Sequence, residues 1–64
     1  MKWTDVHAIT AALETTHAEI DPRGIRFTDL HRWVLALPGF TDASERCNEK
    51  ILESIQATWI EERD

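Results

Sequence analysis

The apolar pattern of the chain changes its period once, between residues 25 and 37. Ile25 and Phe27 flank an arginine, which is the alternation of a half-buried extended segment. Four apolar residues then recur at the spacing of one helix face: Leu30, Trp33, Val34 and Leu37. Pro38-Gly39 predicts a sharp end to this helix. A chain of 64 residues has room for one core, and this stretch is predicted to form its centre.

A first helix is predicted before this stretch. Thr4 is its candidate N-cap, and the helix runs from Asp5 to about Ala18, with apolar residues at i, i+3 and i+7. The Asp21-Pro22-Arg23-Gly24 segment predicts a turn, because Pro fixes φ and Gly24 permits a positive φ. Short extended structure then leads into the middle helix.

Capping patterns predict where the other two helices begin. Thr28 is the candidate N-cap of the middle helix, and Asp29 follows in its first turn, where a carboxylate is favoured by the helix dipole. Asp42 followed three residues later by Glu45 is a capping-box pattern for the third helix. The third helix should run to about Glu61, and the residues after it are expected to fray.

The three apolar stripes can be buried only against one another. The fold class is therefore predicted to be mainly α, as a single domain over residues 1–64. Trp3 and Ile20 are expected to pack across the ends of the first helix. The predicted core consists of Val6, Ile9, Leu13, Phe27, Leu30, Trp33, Val34, Leu37, Ile51, Ile55 and Trp59.

The charge balance limits the choice of partners. Twelve acidic residues against seven basic ones give a formal charge of -5, which disfavours nucleic acid and favours cations or basic protein surfaces. The single Cys47 weakly indicates a reducing compartment. The chain shows no signal peptide and no apolar run of membrane-spanning length. We expect a cytoplasmic monomer that does not interact with membranes.

Three glutamates recur at successive i+4 steps in the predicted third helix. Glu45, Glu49 and Glu53 should share one helix face, and a row of carboxylates suits a hard cation or a basic partner surface. The other interpretation is a solvated face that keeps the protein soluble, with Arg46 and Lys50 neutralising part of the row. The residues alone favour this second interpretation.

No catalytic apparatus is recognisable. Glu14 and His17 have the Glu-x-x-His spacing of carboxylate-bridged metal sites, but such sites need two motifs and more helices than this chain has. Cys47 is predicted to lie inside the third helix, where neighbouring glutamates oppose a thiolate. The chain is therefore not expected to be an enzyme.

The middle of the chain also permits a small DNA-binding regulator. Two helices joined by a turn suggest a helix-turn-helix, and Arg23, Arg26 and Arg32 give a local basic excess. The second helix is short and offers few side chains to base edges. Because the net charge is -5, pairing of these arginines with neighbouring carboxylates is the favoured interpretation.

Five groups of residues together carry a resemblance to a known family. They are Lys2-Trp3-Thr4-Asp5; Asp21-Pro22; Arg26-Phe27-Thr28-Asp29-Leu30-His31 with Trp33-Val34; Phe40; and Asn48-Glu49-Lys50-Ile51-Leu52-Glu53 with Trp59. The order and spacing of these groups resemble IscX, the small acidic protein of bacterial iron–sulfur cluster assembly. The resemblance runs from Lys2 to about Glu62.

The resemblance implies a fold and a function. The fold would be a three-helix, winged-helix-like domain with a degenerate wing. The function would be that of an adaptor, regulator or iron donor, which binds ferrous iron weakly through surface carboxylates and binds the cysteine desulfurase of the system. No metal would be required for folding, since oxygen ligands without a cysteine cluster suit an exchangeable site.

The candidate site residues follow from the acidic row and the matched motifs. Glu45, Glu49, Glu53 and Asp42 are the candidate iron ligands. The candidate partner-binding residues are Glu45, Glu49, Glu53, Asp5 and Asp21, whereas capping is the favoured role for Asp29. The loop Thr41-Asp42-Ala43-Ser44 departs from the aspartate-rich loop of the family, and Pro38-Gly39 replaces an acidic pair. A docking surface tolerates this loss better than an iron site, because it sums over many charges.

Overall fold

A computed structural model describes residues 1–63 of the chain. Three α-helices follow one another: α1 (Val6–Thr16), α2 (Phe27–Leu35) and α3 (Glu49–Arg63). Two short 3₁₀ turns, Pro22–Gly24 and Ser44–Arg46, lie before α2 and before α3. Within residues 1–63 no strand is formed. The mainly α, three-helix fold is confirmed, and the winged-helix arrangement stays a prediction.

The boundaries of α1 lie just inside those predicted. Asp5, not Thr4, occupies the N-cap position. Its carboxylate accepts the Lys2 amide at 2.8 Å instead of a helix amide, because the chain turns back on itself before the helix. At the other end, the His17 amide donates to the Leu13 carbonyl at 2.8 Å and closes the last turn.

The predicted turn at residues 21–24 is a 3₁₀ turn. The Asp21 carboxylate accepts the Arg23 amide at 3.0 Å, as expected for an aspartate that begins a turn. Gly24 does not use the positive φ that glycine permits, because it ends a 3₁₀ turn that leads into extended Ile25. Among the described residues, only Gly39 has a positive φ, of 84°.

Helix α2 begins two residues earlier than predicted, at Phe27. Arg26 is extended and occupies the N-cap position, and Thr28 lies inside the first turn, so its assignment as the cap is wrong. Phe27 is half-buried against the core, and this packing draws it into the helix. Asp29 lies in the first turn as expected and pairs with Arg32 at 2.9 Å.

The capping box predicted for α3 does not form. Asp42 lies outside the helix, the Ser44–Arg46 turn intervenes, and the helix begins at Glu49. Its N-cap is Asn48, whose side-chain oxygen accepts the Ile51 amide at 2.9 Å. Sequence reasoning missed this cap because Asp42 and Glu45 match the motif more closely than Asn48 does.

Replacing Asn48 with alanine should therefore destabilise the protein by about 1 kcal/mol, through loss of the N-cap bond. Thr28→Ala is the matched control, because Thr28 is exposed and does not cap α2, and it should change the free energy of unfolding by less than about 0.5 kcal/mol. Urea denaturation of the two variants tests the assignment. Equal destabilisation of both would contradict it.

The core lies where the three helices meet. Seven of the predicted residues are buried: Ile9, Leu13, Leu30, Val34, Leu37, Ile55 and Trp59. Four others reach only its margin: Val6, Phe27, Trp33 and Ile51. Trp3 and Leu52 are buried instead. Trp33 stacks its ring on His17 at the end of α1, 4.5 Å between centroids, and is partly buried against the core instead of lying fully inside it.

Candidate interaction surface

The surface of the described chain offers faces and no cleft. Residues 1–63 form no pocket. Within the same residues, no three histidine, cysteine, aspartate or glutamate side chains come together in a way that would hold a metal ion. None of the helices is long and apolar enough to cross a membrane. A candidate site must therefore be sought on the exposed surface.

The outward side of α3 carries glutamates that the rest of the described chain does not engage. Glu49 and Glu53 are one turn apart and exposed, and Glu61 lies two turns further on, also exposed. None of the three forms an ion pair within residues 1–63. We call these three residues the α3 acidic face. Lys50 lies beside it and reduces its charge.

Glu45 is not part of the same helix face. It lies in the Ser44–Arg46 turn, before α3 begins at Glu49, so the predicted row of three glutamates on one helix is wrong. Glu45 is exposed and precedes the α3 acidic face by one short turn. The row is therefore split between two elements whose relative placement depends on the loop that joins α2 to α3.

The Asp42 carboxylate is engaged inside the protein. One oxygen accepts the Trp3 amide at 3.2 Å and the other accepts the Ala43 amide at 2.8 Å. Arg46 lies 3.9 Å away, and the Asp42 side chain is only 9% exposed. The hydrogen bond from Trp3, followed by that from Ala43, holds the pKa of Asp42 below its usual range. The contacts of the Asp42 carboxylate are thus with other residues of the protein, and they stabilise the fold.

Asp21 and Asp5 lie in different places relative to α3. The Gln56 amide group donates to the Pro22 carbonyl at 2.8 Å, and this bond places the turn of Asp21 against the flank of α3 on which Glu49 and Glu53 lie. Asp5 begins α1 and accepts the Lys2 amide. Of the two, Asp21 is the one whose turn packs against α3.

Two glutamates that sequence reasoning did not assign join α1 to α3. Glu14 accepts the Trp59 indole N–H at 2.9 Å and a two-pronged contact from Arg63, at 3.0 and 3.1 Å. The Trp59 hydrogen bond, followed by that of Arg63, lowers the pKa of Glu14. Arg63 also donates to the carbonyls of Ala18 and Ile20. The last turn of α3 is thus anchored, and the expectation that it frays is wrong for this residue; Asp64 lies outside the described residues.

Glu62 makes the second contact between these helices. Its carboxylate lies 2.7 Å from His7 and accepts the buried Thr10 hydroxyl, also at 2.7 Å. The contact with His7, followed by that with Thr10, lowers the pKa of Glu62. Only the packing of α1 on α3 reveals these roles, because the partners are far apart in the sequence. Glu14 and Trp59 are separated by 45 residues, and His7 and Glu62 by 55 residues.

These lowered pKa values predict a loss of stability in acid. Because the folded state holds the pKa values of Asp42, Glu14 and Glu62 below the unfolded values of about 3.9 for Asp and about 4.3 for Glu, their contribution is complete above those values and is lost as the pH falls through the folded pKa values. Denaturation midpoints measured from pH 6 to pH 2.5 should show the decline. In Glu14→Gln the decline should be shallower, and an unchanged profile would contradict the assignment.

Two of the three arginines of the middle segment are paired locally. Arg32 contacts Asp29 at 2.9 Å, and Arg23 lies 3.9 Å from Asp21. These pairs leave less positive charge for a nucleic-acid backbone, as the sequence interpretation expected. Among the described residues, the glutamates without an ion pair are those of the α3 acidic face, Glu45 and Glu19, and they carry the negative charge of the surface.

The fold and the surface together define a class: small, acidic, three-helix proteins whose candidate site is an exposed set of carboxylates. The chain matches the family model described as iron-sulphur cluster assembly over residues 1–64. It belongs to this family, the IscX family, as the residue motifs predicted. It is also similar to a protein of Pseudomonas aeruginosa that is described as uncharacterized, with 55% identity over 64 residues, which cover 100% of this chain and 97% of the relative. The family is one of accessory proteins.

Proposed function

We propose that this protein is a non-enzymatic accessory factor of iron–sulfur cluster assembly that docks on the cysteine desulfurase in the cytoplasm. The observation that supports it is the α3 acidic face, whose three carboxylates have no ion pair within residues 1–63. A cysteine desulfurase with a basic surface is the partner that the family resemblance implies.

The division of the carboxylates into two sets supports the proposal. Six carboxylates accept hydrogen bonds or form ion pairs within the described chain: Asp5, Glu14, Asp21, Asp29, Asp42 and Glu62. Glu19, Glu45 and the α3 acidic face do not. Like charges one turn apart on a helix are slightly destabilising, so the repulsion between Glu49 and Glu53 lowers the stability of the free protein. A basic partner would relieve this repulsion and be drawn toward the face by its charge.

Ferrous iron is proposed as a weakly held ligand of the same face. Glu49 and Glu53 lie one turn apart on α3 and are exposed, which fits two carboxylate ligands of a largely hydrated hard cation. Asp42 fits poorly, because its oxygens already accept two backbone amides. Glu45 stands on a separate element. We therefore assign iron to Glu49 and Glu53 and keep Asp42 out of the proposed site.

The direct test is titration of the purified cysteine desulfurase with this protein, in which complex formation and sulfide release are both measured. We expect a complex whose affinity falls as salt is raised. A gel shift with mixed duplex DNA, under the same salt series, tests the alternative of a DNA-binding regulator. A shift of DNA without any desulfurase complex would overturn the proposal.

Iron removal should leave the fold unchanged. The buried residues pack through hydrocarbon and indole groups, so no metal is needed to hold the helices together. Helical circular dichroism and the thermal midpoint should be equal before and after treatment with a chelator. Loss of helix on chelation would show a structural metal and contradict a weak, exchangeable site.

A further inference from the structure

The N-terminal segment lies against the loop that joins α2 to α3. We use the name N-terminal segment for Met1–Trp3 and connecting loop for residues 39–47. The Thr41 amide donates to the Met1 carbonyl at 3.0 Å. The two stretches are about 40 residues apart in the sequence, so this contact is made by the tertiary fold. It begins a series of contacts that follows the loop toward α3.

Trp3 makes the central contacts of this series. Its backbone amide donates to the Asp42 carboxylate at 3.2 Å, and its indole N–H donates to the Ala43 carbonyl at 2.8 Å. The residue is 2% exposed, so these bonds are shielded from water. A buried bond of this kind is costly to break, because a carbonyl or carboxylate would be left without its donor.

Helix α2 supports the same loop from the other side. The His31 ring lies edge-on to the Trp3 indole, 5.3 Å between centroids, and its Nε2 lies 3.1 Å from the Ser44 hydroxyl. Phe40 packs on Trp3 in a second edge contact, at 4.8 Å. The N-terminal segment and α2 together thus hold the connecting loop on either side of Asp42.

The loop determines where Glu45 stands. The Ser44–Arg46 turn follows the anchored Ala43 directly, and two amides of its end donate back to it: Arg46 to the Ala43 carbonyl at 3.1 Å and Cys47 to the Ser44 carbonyl at 3.2 Å. The carbonyl of Ala43 therefore accepts both the Trp3 indole and the turn. Movement of Trp3 would be transmitted to the turn that carries Glu45.

We propose that Trp3 is a positioning residue for partner binding: through Ala43 and Asp42 it holds Glu45 in a fixed place ahead of the α3 acidic face. This inference rests on the proposed docking function. Its physical basis is preorganisation, because a loop that is already ordered loses less entropy when a partner binds. Trp3 itself is buried and does not contact the partner.

The first measurement needs no partner. Trp3→Phe preserves charge and an aromatic ring against Phe40 and His31, and removes the indole donor together with part of the buried ring. Amide hydrogen exchange of Arg46 and Cys47 should speed up about two- to tenfold, the effect of losing one hydrogen bond. The amide of Ile55, in the middle of α3, is the control and should be unchanged. Equal acceleration at all three would indicate general destabilisation and overturn the inference.

The second measurement is a double-mutant cycle on the rate of association with the desulfurase at low salt. Glu45→Gln should slow association about two- to fourfold in the wild-type background. In Trp3→Phe this effect should shrink toward onefold, because Glu45 is no longer held in place. Glu53→Gln is the matched control, and its effect should be the same in both backgrounds, since α3 does not depend on the loop.

The outcomes separate this inference from the proposed function. If Glu53→Gln slows association and Glu45→Gln does not, docking through α3 stands and the role of Trp3 is overturned. If the effect of Glu45→Gln persists in Trp3→Phe, the inference is likewise overturned. If no glutamate variant matters, the docking proposal itself fails. Should Trp3→Phe not fold, Asp42→Asn provides the same comparison, because its single amide oxygen cannot replace both carboxylate oxygens that accept the Trp3 and Ala43 amides.

Discussion

Replacement of Trp59 by alanine should destabilise the protein by about 3–5 kcal/mol, as is typical when a buried tryptophan is truncated. Trp59 is 1% exposed and lies in the core formed by the three helices. Its indole N–H donates to Glu14, and the Arg63 guanidinium lies 5.6 Å from its ring centroid. The substitution therefore removes core packing and leaves Glu14 without one of its donors. For a small domain this approaches the whole free energy of unfolding.

Trp33→Ala is the matched control for this prediction. Trp33 is only partly buried against the core, and its ring stacks on His17. Trp33→Ala should lower the free energy of unfolding clearly less than Trp59→Ala, because folding removes less of the Trp33 side chain from water. Urea denaturation followed by far-ultraviolet circular dichroism measures both, since it needs no tryptophan signal. If the Trp59→Ala protein melts at the wild-type temperature, Trp59 does not contribute to the core as described.

Reversal of Glu49 and Glu53 to lysine should slow association with the cysteine desulfurase by at least about tenfold at low salt. The double variant changes the charge of one exposed helix face by four units, and the charge on such a face acts mainly on the rate of encounter. The effect should fade with added salt, as the screening length falls to about 8 Å near physiological ionic strength. Stopped-flow association across a salt series gives the measurement.

The control for charge reversal lies on another part of the surface. Asp5→Lys alters a carboxylate at the start of α1 that accepts the Lys2 amide, and it should slow association much less per unit of charge. Both proteins should retain wild-type circular dichroism, because Asp5, Glu49 and Glu53 are all exposed. If Asp5→Lys has the larger effect, the partner contacts the start of α1 and the docking face has been misplaced.

Local sequence patterns were sufficient to predict that three helices form and which residues lie at the centre of the core. The apolar period of residues 30–37 predicted a helix whose Leu30 and Val34 are buried, and it also predicted the burial of Leu37, which lies just beyond the end of α2 at Leu35. Periodicity succeeds here because a 64-residue chain has only one way to cover three apolar stripes. Periodicity alone did not show that Trp33 is only partly buried. The burial of a residue at the edge of an apolar stripe depends on which helix packs beside it, and beside Trp33 this is the end of α1.

The helix starts and the candidate site depended on longer-range contacts. Asp42 matches a capping box, yet its carboxylate is taken by the amide of Trp3, 39 residues away, and Asn48 caps α3 in its place. That displacement moves Glu45 out of the helix and divides the predicted row of glutamates. A motif within four residues cannot reveal such competition, because the competing donor comes from the far end of the chain.

The sequence by itself determined the three helices, most of the buried residues, the acidic charge and the family. These depend on composition, on spacing and on residue motifs, all of which are local or additive. Only the tertiary structure decided which carboxylates are consumed by the fold and which remain free. Glu14, Asp42 and Glu62 resemble Glu49 and Glu53 in the sequence, but they accept hydrogen bonds from distant donors. The donors that a carboxylate accepts hydrogen bonds from depend on how the helices pack against one another, and local sequence patterns do not reveal this packing.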